Sequence, residues 1–303
     1  MRRFAFFLLA AIVSFPILYA IYLLVSNNRH VSPPNETELR ASYEKSIGWM
    51  LRHRTQILAS SNTMLWWMVM RSAELTRDPR LQSLFAEYKE RQMDHDRIGV
   101  WRHWFSRHSP TPVIFTDIAH YPDYNLFLVY AAACDAELAE LDIIKRQQEA
   151  QFCSDSHPIS PACVTHQLMG ARMMQARGCG ESQAVGALIS TLQDKVVRQL
   201  TWDPRVVDVY LQRVLMLADT NAMARIKPIW VRRILDAQRS DGGWGQMQAL
   251  IPLPSNRAVG FNAKGLGIGT VESDFHATAQ GVLLLSLLQS SVQKGGVEAN
   301  RTN

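Results

Sequence analysis

The sequence predicts an all-α protein: an α/α toroid, here a barrel of about five helical hairpins, with one N-terminal transmembrane helix. Three observations predict this fold. Apolar residues recur at helical spacing through most of the chain. Amphipathic runs alternate with runs that are apolar on all sides, as outer and buried helices do. The chain also starts with a long apolar run that carries no charge between Phe4 and Val25.

The composition is that of a chain with a large packed core. It has 303 residues, of which 47% are hydrophobic and 19% charged. The net charge of +5 is spread over helices that also carry acidic residues, and no basic patch is interleaved with aromatic residues. The composition therefore argues against a nucleic-acid partner.

The N-terminal run from Phe4 to Val25 is long enough to cross a hydrocarbon core of about 30 Å. Arg2 and Arg3 precede it, which favours a cytoplasmic N-terminus. We interpret residues 1–26 as an uncleaved signal anchor and residues 27–35 as a polar stem, with a cleaved signal as the alternative. The prediction is a single-pass membrane protein whose main domain is extracytoplasmic, periplasmic if the host is bacterial.

The helical domain is predicted over residues 36–292, followed by a flexible tail at 293–303. Its buried helices are predicted to start near residues 62, 124, 163, 204 and 275. Capping residues and prolines support several of these starts, among them Asp203-Pro204 and Asp274. Each buried helix alternates with an amphipathic one, so the spacing describes five uneven hairpins.

The clearest hairpin contains the turn Gln238-Arg239-Ser240-Asp241-Gly242-Gly243-Trp244, which follows an amphipathic helix. Its Gln, Gly-Gly and Trp positions resemble the repeat of the α/α-toroid superfamily, which includes triterpene cyclases and protein prenyltransferase β-subunits. The run from Asp274 to Ala279 resembles the start of an inner helix in that group. The cyclase D-x-D-D motif and the prenyltransferase zinc set are missing, so the resemblance implies a fold rather than an activity.

In that superfamily the N-terminal ends of the inner helices line the mouth of a central cavity. The resemblance therefore implies that the residues at these helix starts converge. We take His166, His276 and Asp274 as candidate catalytic residues, because imidazole exchanges protons near neutral pH. The candidate binding residues are Asn62, Asp123, Tyr124, Asp241 and Trp244, and Asp203 lies at another of these helix starts. In the alternative interpretation, the aspartates are helix caps and the histidines pack in the core.

The four cysteines suit two disulfide bridges. The predicted hairpins place Cys153 and Cys163 at one end of the barrel, and Cys134 and Cys179 at the other. Cys153–Cys163 and Cys134–Cys179 are therefore the favoured pairs. Free thiols, or a zinc site that uses Cys163 and His166, are the alternatives; we predict no metal and no cofactor.

Two functions are compatible with these observations. The first is a membrane-anchored module that binds a protein, glycan or lipid partner through its cavity and through the long segment 245–272. The second is an enzyme whose cavity histidines and carboxylates act on a lipid-like or saccharide substrate. Segment 245–272 is rich in glycine and proline, and we interpret it as an irregular lid, a binding arm or a surface excursion.

Overall fold

A computed structural model describes residues 17–299 of the chain, except 96, 107, 108, 110 and 158. Helices make up most of it, and one small sheet follows the fourteenth helix. The helices are α1 (17–28), α2 (Glu36–Arg52), α3 (Arg54–Leu58), α4 (Thr63–Thr76), α5 (Pro79–Tyr88), α6 (Phe115–Ile118), α7 (Asp123–Ala133), α8 (Ala136–Ala139), α9 (Asp142–Gln147), α10 (Phe152–Ser156), α11 (Cys163–Arg177), α12 (Ser182–Trp202), α13 (Asp208–Asp219), α14 (Pro228–Asp236) and α15 (Phe275–Ala299).

Five of these helices contact one another in a ring. Helix α15 packs between α4 and α13, and α11 packs between α13 and α7. Helices α7 and α4 both contact a 3₁₀ helix, Gly99–Trp104, which completes the circuit. Around this ring, α2 packs on α15, α5 on α4, α12 on α11 and α13, and α14 on α13.

The ring helices pack closely because their sequences are apolar on nearly every side and small where two backbones approach. Trp66 of α4 stacks on Tyr88 with ring centroids 4.3 Å apart. Gly170 of α11 lies against the ring of Phe127 of α7, so a side chain at Gly170 would collide with that ring. Such interior contacts tolerate little change in volume. They hold the starts of the ring helices at fixed positions.

The Gln238–Trp244 turn joins α14 to α2. Gln238 Nε2 donates to the Ser42 carbonyl at 2.9 Å, which ties the turn to α2. Gly242 has φ +93°, a conformation that favours glycine, and a side chain there would collide with the Lys45 backbone. Trp244 is buried, and its Nε1 donates to the Ile234 carbonyl of α14 at 2.8 Å. The turn therefore has a packing role.

The all-α prediction is wrong, because segment 245–272 folds as a three-stranded antiparallel sheet in the order β1-β2-β3. The strands are β1 (Gln248–Leu253), β2 (Arg257–Asn262) and β3 (Gly265–Thr270). Alternation explains why this glycine-rich segment forms strands. In β2 and β3, Ala258, Gly260, Gly267 and Gly269 are less exposed than the larger Leu266 and Ile268. On this less exposed face, Gly260 lies against the backbone of β1 and Gly269 against Met247, where larger side chains would collide.

The predicted membrane-spanning helix is not found in the described part of the chain. Within the described residues, no helix combines the length and the apolar character needed to cross a membrane. The described part of helix α1 is residues 17–28, and residues 4–16 of the predicted span lie outside the described part of the chain. The predicted anchor, and the single-pass localisation that rested on it, are therefore corrected.

Residues at the end of α1 dock into the helical domain. Asn27 is fully buried, and its Nδ2 donates to the Leu200 carbonyl at 2.6 Å. Its Oδ1 accepts from the Tyr210 hydroxyl at 2.8 Å and from Arg233 Nη1 at 3.1 Å. Trp230 Nε1 donates to the Asn27 carbonyl at 3.1 Å. This single residue thereby joins α12, α13 and α14.

Candidate active site in the central cavity

A cavity of about 370 Å³ lies where the N-terminal halves of the five ring helices meet. Its volume falls in the range of pockets that bind small ligands. Polar and apolar side chains share the lining, which consists of Ser61, Asn62, Thr63, Met64, Leu65, Met68, Trp101, Tyr124, Asn125, Leu128, His166, Met169, Gln212, His276 and Gln280.

Four of the candidate residues chosen from the sequence line this cavity together: Asn62, Tyr124, His166 and His276. Asn62 caps α4, since its Oδ1 accepts from the Met64 amide at 3.2 Å. Tyr124, in the first turn of α7, is 44% exposed and therefore stands at the opening. The two histidines come from the first turns of α11 and α15.

His276 lies beside two carboxylates. Its Nδ1 is 3.5 Å from Asp208 Oδ2, at the start of α13. Asp274 precedes α15, and its Oδ1 accepts from the Ala277 amide at 2.8 Å, so it is also the helix cap that the sequence indicated. The contact with Asp208 favours a proton on Nδ1, which leaves the Nε2 lone pair available as a base.

Both carboxylates near His276 favour their protonated form more than an exposed aspartate does. Burial raises the pKa of Asp208, the nearby Asp274 raises it further, and His276 acts in the opposite direction. Burial likewise raises the pKa of Asp274. The Oδ1 atom of Asp208 is buried and has no hydrogen-bond partner among the described residues. Clustered groups with perturbed pKa values in a cavity are typical of functional sites.

His166 also enters the cavity in a defined tautomer. Its Nδ1 lies 2.8 Å from the Ala162 carbonyl, which can only accept, so Nδ1 carries the proton. The rings of His166 and Tyr124 lie 4.9 Å apart, in a tilted arrangement. Burial lowers the pKa of His166, and the positive form of His276 lowers it further. His166 therefore stays neutral at pH 7, with Nε2 unprotonated.

Two buried glutamines lie in the wall next to the histidines. Gln280 is one helical turn beyond His276, and its Nε2 lies 3.4 Å from Nδ1 and 3.3 Å from Nε2 of that ring. Gln212, in α13, accepts a hydrogen bond from the Thr165 hydroxyl at 2.7 Å through Oε1. Together with the histidines, they place hydrogen-bonding groups of three neighbouring helices around one space.

The other candidates lie outside this cavity. Asp203 pairs with Arg205 at 2.6 Å and with Arg213 at 2.9 Å, which makes it part of an ion-pair cluster at the start of α13. Asp123 is exposed in the first turn of α7. Asp241 caps the turn by accepting from the Gly243 amide at 3.0 Å and from the Ser273 hydroxyl at 2.8 Å.

A second cavity, of about 170 Å³, lies between the sheet and helices α13 and α14. Trp244, another binding candidate, contributes to its lining together with Arg239 and Gln248. Asp208 also lines this second cavity, although it contacts His276 of the first. The Asp208–His276 pair therefore lies between the two cavities.

Both predicted disulfides are confirmed. Cys134–Cys179 has a Cα–Cα distance of 5.2 Å and Cys153–Cys163 one of 5.7 Å. The second bridge holds the first residue of α11, three residues before His166. All four cysteines are paired, so the alternatives of free thiols and of a zinc site that uses Cys163 are wrong. Over the described residues, no group of three or more His, Cys, Asp or Glu side chains is arranged to hold a metal ion.

Sequence reasoning missed Asp208, Gln212 and Gln280. A signal for the glutamines exists, since each lies in a mostly apolar run that is typical of a buried helix, where a polar side chain needs a partner or a ligand. Asp208 was missed because α13 begins four residues later than the predicted start near 204. That shift moves the carboxylate of the site from Asp203 to Asp208.

No family model, curated protein or solved structure matches this chain. The resemblance to the α/α-toroid superfamily therefore stays a prediction, and the geometry of the cavity carries the functional argument.

Proposed function

We propose that this protein is an enzyme that performs acid–base catalysis on a small substrate bound in the central cavity. One observation carries the proposal: His276, paired with Asp208 at 3.5 Å, lines the same cavity as His166. A distance of 3.5 Å is long for a hydrogen bond, but catalytic contacts often tighten only when substrate binds. Histidines that merely filled the core would not line a cavity of this size.

The two histidines can divide the proton transfers between them. With its Nδ1 directed at Asp208, His276 can accept a proton at Nε2 from a bound water molecule or from a substrate hydroxyl. Asp208 and Asp274 then stabilise the imidazolium that forms. His166 has a lowered pKa, so it readily gives up a proton that it has received. Such a pair suits hydrolysis or proton abstraction from a lipid-like or saccharide substrate.

The proposal is tested with panels of p-nitrophenyl glycosides and p-nitrophenyl acyl esters, with product detected by mass spectrometry. We expect His276→Gln and Asp208→Asn each to lower kcat/KM by about 10² to 10⁴, the usual contribution of a positioned acid or base. His120→Gln is the control, since His120 is exposed and outside the cavity. Turnover that survives His276→Gln at the level of this control would refute the proposal.

A second candidate is a binding module without catalysis, and one observation favours it. The sheet exposes the large apolar residues Ile251, Leu266 and Ile268, and exposed apolar patches often mark binding surfaces. In that case, some compounds of the glycoside and ester panels would bind in the cavity without being converted to product. His276→Gln would then change only their affinity.

A further inference from the structure

The amides of Gln212 and Gln280 are buried but incompletely bonded. Gln280 is 0% exposed and Gln212 only 3%. Gln280 Oε1 has no hydrogen-bond partner in the described part of the chain. Its Nε2 is almost equidistant from both ring nitrogens of His276, so it lies over the ring and not along either lone pair. A buried amide that is left this way is costly to the fold unless a ligand binds it.

The charged side chains around the cavity disfavour an anionic ligand. None of its described lining residues is Lys, Arg, Asp or Glu. Arg213 follows Gln212 directly, but it is engaged by Asp203 at 2.9 Å. His166 is neutral, and the carboxylates nearest the cavity, Asp208 and Asp274, would repel a negative charge. A carboxylate or phosphate would therefore find no lysine or arginine to pair with in the described lining.

The lining is suited to a flat ring with a polar edge. Trp101 and Tyr124 supply aromatic surface, and Met64, Met68 and Met169 supply adaptable apolar surface. The amides and the two Nε2 atoms supply hydrogen-bonding groups beside that surface. An acyl chain would fill the same volume but would leave Gln280 Oε1 without a hydrogen-bond partner.

We infer that the cavity binds an uncharged sugar ring, and that Gln280 is the specificity-determining residue, which binds a sugar hydroxyl next to His276. This inference rests on the proposed function for its site, because it assigns the substrate of the same cavity. Hydroxyl groups both donate and accept, so one sugar hydroxyl can donate to Oε1 while its neighbour on the ring accepts from Nε2 and replaces the poor contact with His276.

Binding is measured by calorimetry with p-nitrophenyl hexosides of both anomeric configurations in the gluco, galacto and manno series. The matched uronides, the 2-amino sugars and p-nitrophenyl octanoate are the comparison probes. We expect at least one neutral hexoside to bind at least tenfold more tightly than its uronide, its amino counterpart and the octanoate. Equal or tighter binding of any comparison probe overturns the inference.

The variant Gln280→Met keeps the volume of the side chain but removes its hydrogen-bonding groups. We expect it to weaken hexoside binding at least tenfold, while Gln289→Met, on the same helix but outside the cavity, leaves binding unchanged. Unchanged affinity in a folded Gln280→Met protein overturns the inference. If that variant does not fold, Gln212→Met decides in the same way.

Different experimental outcomes would contradict the inference and the proposed function. A neutral hexoside that binds through Gln280 but is never converted supports the inference and contradicts the enzyme. Conversion of a uronide or of octanoate alone, with loss of activity in His276→Gln, supports the enzyme and contradicts the inference.

Discussion

His166 shows how burial sets the state of a single side chain. Because its pKa is lowered in the folded protein, protonation favours the unfolded chain. Its contribution to stability is therefore fully present above the pKa of the unfolded histidine, about 6.5. That contribution is lost as the pH falls through this value towards the lowered folded pKa.

We therefore expect the wild-type protein to lose more stability than His166→Gln between pH 7.5 and pH 5.5. One group contributes at most about 1.4 kcal/mol per pH unit. Urea unfolding at both pH values measures the difference. The raised pKa values of Asp208 and Asp274 favour the folded state as the pH falls. Both residues are present in both proteins, so their contributions to the difference in stability cancel. A pH dependence that is identical in both proteins would contradict the buried, neutral state of His166.

At the scale of single residues, part of the candidate site could be predicted from the sequence. Asn62, Tyr124, His166 and His276 were identified because each lies near the start of a buried helix, and helix starts follow from capping and apolar periodicity. Asp208 and the two glutamines depend on the exact register of α13 and on which face of α13 and α15 meets the cavity. Periodicity alone does not determine either one.

At the scale of elements, α11 depends on the bridge that holds its first turn. Cys153–Cys163 closes a short loop, with a sequence separation of 10, and Cys134–Cys179 a longer one, with a separation of 45. The entropy of loop closure predicts a loss of about 3 kcal/mol without the short bridge and about 4 kcal/mol without the long one.

The paired variants Cys153→Ser/Cys163→Ser and Cys134→Ser/Cys179→Ser test this order by urea unfolding. We expect the second pair to be less stable, but only the first to change ligand binding, because only its bridge joins the turn that carries His166. Equal effects of both pairs on binding would show that the short bridge has no positioning role.

The sheet was the element that sequence reasoning missed. Gly265-Leu266-Gly267-Ile268-Gly269 alternates strictly between small and large residues, which is a strand pattern. Five glycines and two prolines in segment 245–272 obscured it, because both residues weaken strands in general. Here the glycines occupy the less exposed face, where Gly260 lies against the backbone of β1 and Gly269 against Met247.

For the whole molecule, Asn27 is a residue that connects distant parts of the chain. Its side chain contacts residues 173, 183 and 206 positions away. Asn27→Ala would leave the Leu200 carbonyl, the Tyr210 hydroxyl and Arg233 without these bonds. We expect a loss of about 3 kcal/mol, because a lost bond to a buried charge costs more than a neutral one.

Chemical denaturation measures this loss, and Asn28→Ala is the matched control. Asn28 also binds across the chain, through Thr201 and Lys227, but it is only partly buried. We expect the control to lose clearly less stability. Equal losses of stability in the two variants would show that the burial of Asn27 does not strengthen its hydrogen bonds.

Neither the docking of residues 27–28 nor the absence of a described spanning helix could be predicted from composition. An apolar run is equally suited to lipid and to a protein surface, and local sequence does not distinguish them. The polar residues that follow the run looked like a solvated stem, although the first of them is completely buried.

Helix α15 has a consequence for how the protein is made. It packs against α2 and α4, which leave the ribosome early, and against α13, which leaves late. It also carries both His276 and Gln280. A nascent chain that lacks this helix has neither a closed ring nor a complete cavity. Under the proposed function, an incompletely translated chain that lacks α15 would therefore be inactive.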